Sequence, residues 1–268
     1  ADWHLSYYCS PPSRVAVREG FSVERFLGAT DAAPAAAVRI KVLTYNLGAE
    51  RGRGGAAGKN IADYAQDDPF DFIAFQECDN ATGPLGDAKA AGMQGEYGII
   101  HSFQGLSVAY RKDEFDNVEE GKSWVASDAP GDDTGVRVVL WIRARHKASQ
   151  RTVFYGNHQG PLPMNSGGLC GPEATAYQIL EAVAESACIG DAVILVGDFN
   201  AWSNDPSGRW MEEVGRIDCH LPHVFSSPTA DDAWGSDNVF ASCLKTVETR
   251  VMPKGGSDRN PLAVVFEA

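Results

Sequence analysis

Several stretches of this chain share one pattern: an apolar run that stops at a polar residue. From Ala192 to Val196 five apolar residues follow one another, the signature of a strand buried on both faces. The run ends at Gly197, and Asp198 and Asn200 follow at once. Residues two apart on a strand project to the same side, so this strand delivers a carboxylate and an amide to a rim. Asp and Asn are also common turn formers, and the stretch alone leaves both readings open. In residues 38–48, Val38, Ile40 and Val42 alternate, and Thr44 and Asn46 continue their face. Residues 71–78 form an apolar strand closing on Gln76-Glu77. Two strands are expected at 97–101 and 106–111, and an alternating one at 136–145, where Arg137 reads as an exposed strand arginine. Residues 151–160 end a strand in Asn157-His158, and residues 236–242 open one with Asp237. Asp258 stands in a turn before the last strand, within 255–268. Helical spacing shows in Ala176, Ile179, Leu180, Val183 and Ala187 over 173–187. Ile61, Tyr64 and Ala65 fit a short helix, and another is expected near 208–214. Residues 113–133 are acidic and read as loop, and 161–172 as a Gly/Pro loop. About ten strands with two or three helices predict two packed sheets with helices outside.

Length and charge narrow the classes. The chain of 268 residues suits one large domain or two small ones, and no linker divides it. Residues 1–37, rich in Ala and Pro near their end, read as an N-terminal extension, and 38–268 as the domain. No run approaches the ~18 apolar residues of a membrane span, so no transmembrane segment is expected. A net charge of −13 argues against a protein that coats nucleic acid, but not against a phosphate substrate with a divalent cation in the site. The six cysteines form no CxxC pair, which disfavours a zinc ribbon and permits one to three disulfides of unassigned pairing. With the sequon Asn80-Ala81-Thr82, they favour secretion or an organelle lumen. The stretch 51–59 tempts a phosphate-loop reading, but Arg53 stands five residues before Gly58 and Asn60 follows Lys59. It reads as a flexible loop that could contact an anion.

Taken together, Asn46, Glu77, His158, Asp198, Asn200, Asp237 and Asp258 nearly all stand where a strand meets a loop. Their order and flanks are specific: Leu-Thr-Tyr-Asn-Leu (43–47), Phe-Ile-Ala-Phe-Gln-Glu (72–77), Gly-Asn-His (156–158), Gly-Asp-Phe-Asn-Ala (197–201), Ser-Asp-Asn-Val-Phe (236–240) and Gly-Ser-Asp-Arg-Asn-Pro (256–261). Over residues 38–268 the chain resembles the endonuclease/exonuclease/phosphatase superfamily, the fold of deoxyribonuclease I. The resemblance implies an α/β fold, a four-layer α-β-β-α sandwich of two mixed, mostly antiparallel sheets with the site at one end. It implies that Glu77, with Asn46 and Asp258, holds Mg²⁺ or Mn²⁺, with Ca²⁺ as an alternative; oxygen donors suit such hard cations. It implies that Asp198 orients or activates water, that Asn200 touches the phosphate, that His158 contacts the phosphate or assists the leaving group, and that Asp237 orients a histidine in the last block.

That histidine is missing. The family's Ser-Asp-His block reads Ser257-Asp258-Arg259 here. Arginine stays protonated and cannot serve as a base, and losing a general acid–base group costs about 10²–10⁴-fold in rate. Two functions are therefore expected. One is a metal-dependent phosphodiesterase or nuclease of reduced rate, acting on DNA or on a lipid or inositol phosphodiester. The other is a non-catalytic member of the fold that serves a protein partner as a binding or structural subunit. In either case Asp237 is expected to pair with Arg259.

Overall fold

The computed structural model describes residues 37–48, 55–102, 104–131, 135–188, 190–201, 223–226, 235–242 and 244–268. Nearly all of the N-terminal extension, residues 51–54 of the anion-contacting stretch and the helix expected near 208–214 lie outside the described residues. The elements, in order, are β1 (Arg39–Asn46), α1 (Ala56–Ala65), β2 (Phe72–Gln76), α2 (Thr82–Ala90), β3 (Tyr97–His101), β4 (Ser107–Arg111), β5 (Phe115–Ser127), β6 (Val136–His146), β7 (Thr152–Gln159), α3 (Pro172–Ser186), β8 (Ala192–Asp198), β9 (His223–Ser226), β10 (Asp237–Ser242), β11 (Lys245–Val251) and β12 (Leu262–Glu267).

Among the described residues, twelve strands make two six-stranded sheets, ordered β11-β12-β1-β2-β4-β3 and β5-β6-β7-β8-β10-β9. Each sheet holds one parallel pair, β1 with β2 and β7 with β8; the other described pairs are antiparallel. Parallel neighbours need a crossover, supplied by α1 in the first sheet and α3 in the second.

Strand alternation sorts the side chains into layers. Ile40, Val42, Phe72 and Ala74 of the first sheet meet Leu140, Ile142, Tyr155, Ile194 and Val196 of the second in a core between the sheets. Leu43, Tyr45, Ile73 and Phe75 turn the other way and pack with Ile61 of α1 and Leu85 of α2. Val139, Phe154, Val193, Leu195 and Phe240 likewise pack with Ala176, Ile179 and Val183 of α3. The result is the expected α-β-β-α sandwich. The two helices on the first sheet touch closely: a Cβ at Gly58 would lie 2.4 Å from Asp87 Cβ.

Three readings need correction. Residues 115–127, read as acidic loop, are strand β5. It lies at a sheet edge, and residues 116–120 are all exposed, so no apolar alternation marks it. Residues 56–59, read as flexible loop, begin α1. Arg137, read as exposed, is buried: its Nε and Nη2 donate to Asp128 at 2.8 and 3.1 Å in a two-pronged pair. Such pairing is what makes a buried guanidinium tolerable.

Candidate active site

The two parallel pairs fix where the chemistry gathers. In an open α/β arrangement, ligands bind beyond the carboxyl ends of parallel strands. Here those ends are Asn46 and Gln76 in one sheet and Gln159 and Asp198 in the other. Asp237, opening antiparallel β10, stands directly opposite Asp198. The turn carrying Ser257, Asp258 and Arg259 precedes β12, which runs antiparallel to β1.

Hydrogen bonds join these ends across the sandwich. Asn46 Nδ2 donates to Glu77 Oε1 at 3.0 Å and to Asp198 Oδ2 at 2.9 Å. Its Oδ1 accepts from the Gly48 N–H at 2.9 Å. Asn46 thus bridges two carboxylates as a donor. Gln159 Nε2 also donates to Glu77 Oε1, at 2.9 Å. Glu77 has φ 53, left-handed backbone that is unusual outside glycine and is commoner at functional sites. Gly48, φ 62, lies beneath Asp258: a Cβ there would come within 3.2 Å of Asp258 Oδ1.

Below this rim the sheets are bolted together. Gln76 Nε2 donates to Asn157 Oδ1 at 2.7 Å and to Thr44 Oγ1 at 3.0 Å. Asn157 Nδ2 donates to the carbonyls of Phe75 and Ser107 at 2.8 and 3.0 Å. Gln76 and Asn157 have no exposed surface.

The acid–base groups are placed as follows. Asp198 Oδ1 accepts from the Asn200 N–H at 3.0 Å. Asn200 has φ 48, and its side chain donates to the Gly160 carbonyl at 2.8 Å. Strand alternation stops at Asp198, so the same-side projection expected for Asn200 does not apply. His158 is fully buried, with Nδ1 donating to the Val138 carbonyl at 2.9 Å and Nε2 without a partner among the described residues. Burial, aided by the Arg137 charge and opposed by the Val138 carbonyl and Asp198, pushes its pKa down to about 4. The ring is therefore neutral at pH 7, with Nε2 as an acceptor.

The expected Asp237–Arg259 pair is not the one formed. Arg259 Nη1 donates to Ser236 Oγ, and Nη2 lies 3.5 Å from Asp198 Oδ2. The guanidinium reaches Asp198 because that carboxylate stands across the β8–β10 pair from Asp237. Asp237 Oδ2 is buried without a hydrogen bond among the described residues. Burial first, then the adjacent Asp198, pushes Asp237 well above the ordinary carboxylate range. Burial opposes the charge on Arg259, but Asp198, Asp237, Asp258 and Glu77 outweigh it and raise its pKa.

Gln159, Ser236, the Gln76–Asn157 bolt and the Arg137–Asp128 pair were not anticipated from sequence. Alternation from Asn157 was the available signal for Gln159, two residues on and on the same face.

A model of the endonuclease/exonuclease/phosphatase family matches residues 43–258. No curated protein matches. Among solved structures, a family protein from Bacteroides vulgatus superposes with TM-score 0.65 at 16% identity, over 85% of this chain and 98% of that one. A mannosyl-6-phosphatase from Bacteroides thetaiotaomicron gives TM-score 0.60 at 20% identity, over 84% and 98%. The human nocturnin catalytic domain with bound sulfate gives 0.59 at 16%, over 86% and 96%.

Enzymes of this family generally use divalent metal ions. The donor chemistry here fits such an ion: Glu77, Asp198, Asp237 and Asp258 offer hard carboxylate oxygens in electrostatic reach of one another, and Asp237 Oδ2 is buried with no hydrogen bond among the described residues. Among the described residues, however, no three His, Cys, Asp or Glu side chains form a ready cage. The sandwich, the rim of strand ends and the family match agree: this chain belongs to the endonuclease/exonuclease/phosphatase family, whose substrates are phosphate esters.

Proposed function

We propose that this chain hydrolyses a small phosphate ester with a divalent cation held by Glu77 and Asp258, with Asn46 beside them. The observation that carries the reading is the Asn46 amide, which ties Glu77 of one sheet to Asp198 of the other. When bound, Mg²⁺ or Mn²⁺ supplies Lewis-acid stabilisation of phosphate oxygens. The chain's own groups do the rest. Asp198, held by the Asn200 N–H and the Asn46 amide, orients the attacking water. Arg259, anchored on Ser236, offers a fixed positive charge to non-bridging oxygens. The His158 Nε2 lone pair serves as an acceptor. Neither Arg259 nor neutral His158 delivers a proton to a leaving group at pH 7. Esters of acidic alcohols and phenols should therefore react far faster than alkyl esters.

The mannosyl-6-phosphatase among the structural neighbours supports a small substrate, as does the net charge of −13, which repels a polyanion. The test is hydrolysis of bis(p-nitrophenyl) phosphate, mannose 6-phosphate and DNA, each with Mg²⁺, Mn²⁺ or EDTA. Metal-stimulated release of nitrophenol that is lost in Glu77→Ala is expected. No metal-stimulated turnover of any of them would favour the second reading, a binding subunit for a protein partner. The Arg259–Asp198 contact, which engages the water-orienting carboxylate, is what speaks for that reading.

We also propose one or two disulfides and an oxidising compartment. Cys78 and Cys188 are free, which leaves Cys170 as the cysteine among the described residues that can be paired. The remaining candidates to pair with it are Cys9, Cys219 and Cys243, outside the described residues. Peptide mapping without reductant should link Cys170 to one of them; six thiols alkylated without reductant would overturn it.

A further inference from the structure

We infer that the Arg259 guanidinium is a built-in competitor of the divalent cation, occupying part of the field that the carboxylates would otherwise give to the ion; this rests on the metal-dependent reading above. Three observations place it there. Arg259 is fastened at both ends: its N–H donates to Ser257 Oγ at 3.0 Å, Ser257 Oγ donates to the Asn46 carbonyl at 2.7 Å, and Nη1 donates to Ser236 Oγ. The charge cannot swing away without breaking the bond to Ser236 and leaving Asp198. The side chain is only 21% exposed, so water screens it poorly. Its Nη2 lies 3.5 Å from Asp198 Oδ2, Asp258 is the preceding residue, and the Asn46 amide that donates to Asp198 also donates to Glu77, so the guanidinium sits among the groups that would hold the ion.

Arginine carries its charge at every working pH. A cation entering beside Glu77 and Asp258 therefore meets a fixed positive neighbour, while Arg259 already neutralises part of the acidic cluster. In the metal-free protein the same charge relieves repulsion among the carboxylates. Arg259 does not do all of the ion's work, since Asp237 Oδ2 keeps no hydrogen bond among the described residues. The site is thus expected to stand without metal and to bind metal weakly.

The experiment is calorimetric titration of MnCl₂ into the full chain at pH 8, comparing the parent with Arg259→Met, Arg259→Gln, Arg259→Lys and Glu77→Gln. The amide of Arg259→Gln is uncharged at any pH and keeps a donor for Ser236, which guards against a Met variant that fails to fold. Arg259→Met and Arg259→Gln should bind Mn²⁺ at least tenfold tighter than the parent, about 1.4 kcal/mol. Arg259→Lys, which keeps the charge, should stay near the parent. Adding Glu77→Gln should erase the gain. In thermal melts, Mn²⁺ should raise the midpoint of the neutral variants more than that of the parent. If the parent binds Mn²⁺ through Glu77 and both neutral variants bind no tighter, the inference is overturned and the metal-dependent reading survives. If neither the parent nor any variant binds Mn²⁺ at millimolar concentration, both fall.

Discussion

His158 spends its one N–H on the Val138 carbonyl inside a closed site, and that fixes the sign of its effect on stability. Its folded pKa, about 4, lies below the unfolded value of 6.5. Between those limits the unfolded chain binds the extra proton, so stability rises with pH, and above 6.5 the contribution is constant. From pH 7 to pH 5 the parent should lose about 2 kcal/mol through this group. Asp71, pushed up to about 6 chiefly by burial, acts in the opposite sense over its own range but is common to parent and variant. The quantity to read is therefore the difference between parent and His158→Asn in urea unfolding at the two pH values. An equal fall in both proteins would refute it. Gln159 acts on a neighbouring carboxylate instead. Gln159→Leu removes an amide donor from Glu77 Oε1. It should lower Mn²⁺ affinity or kcat/KM on the chromogenic diester by about 10-fold, typical of a residue that orients a ligand. Its melting point should change little, and an unchanged affinity and kcat/KM would show that Gln159 only fills space.

At the level of elements, the join between β2 and β7 is the most exposed to damage. Asn157→Ala would take one hydrogen-bond partner each from the Phe75 and Ser107 carbonyls and from the Gln76 amide in a dry interior. The expected cost is about 3 kcal/mol or more, read from urea midpoints; a cost under 1 kcal/mol would mean that water replaces the lost amide. Gly197 is the other fixed point: at φ 147, a Cβ would meet the His158 carbonyl at 1.9 Å, so Gly197→Ala should unfold or displace β7. The sequence shows these elements unevenly. β1, β2, β7 and β8 were legible because one or both of their faces are apolar. β5 and β11 were not, because both lie at sheet edges and expose most of their residues, so their side chains carry no period. The rim was legible as strand ends, but its wiring was not. Arg259 meeting Asp198 rather than Asp237 depends on which carboxylate faces which across two antiparallel strands. Asn200 folding back on Gly160 depends on a left-handed turn that residue type alone does not announce.

The whole molecule adds a field and a topology. With a net charge of −13, a long anionic substrate is repelled before it reaches the rim. If an oligonucleotide is cleaved at all, its kcat/KM should rise with salt, while that of the small diester should stay nearly flat. A fall with salt for DNA would mean that a local basic surface outweighs the net charge. The topology concerns β1, flanked by β2 on one side and β12 on the other, with Arg39 opposite Glu267. Residues 38 and 268 close the pair with two backbone hydrogen bonds, at 3.2 and 2.8 Å. On the ribosome, β1 is made first and its partner roughly 200 residues later, tens of seconds at about 5–20 residues per second. Throughout that interval one side of β1 is an open edge that can pair with a stranger. Asp258 and Arg259, in the turn before β12, arrive just ahead of the strand that closes the sheet. A nascent chain of this protein therefore carries most of its acidic rim without the guanidinium that tempers it, and becomes both closed and charge-balanced only as β12 emerges.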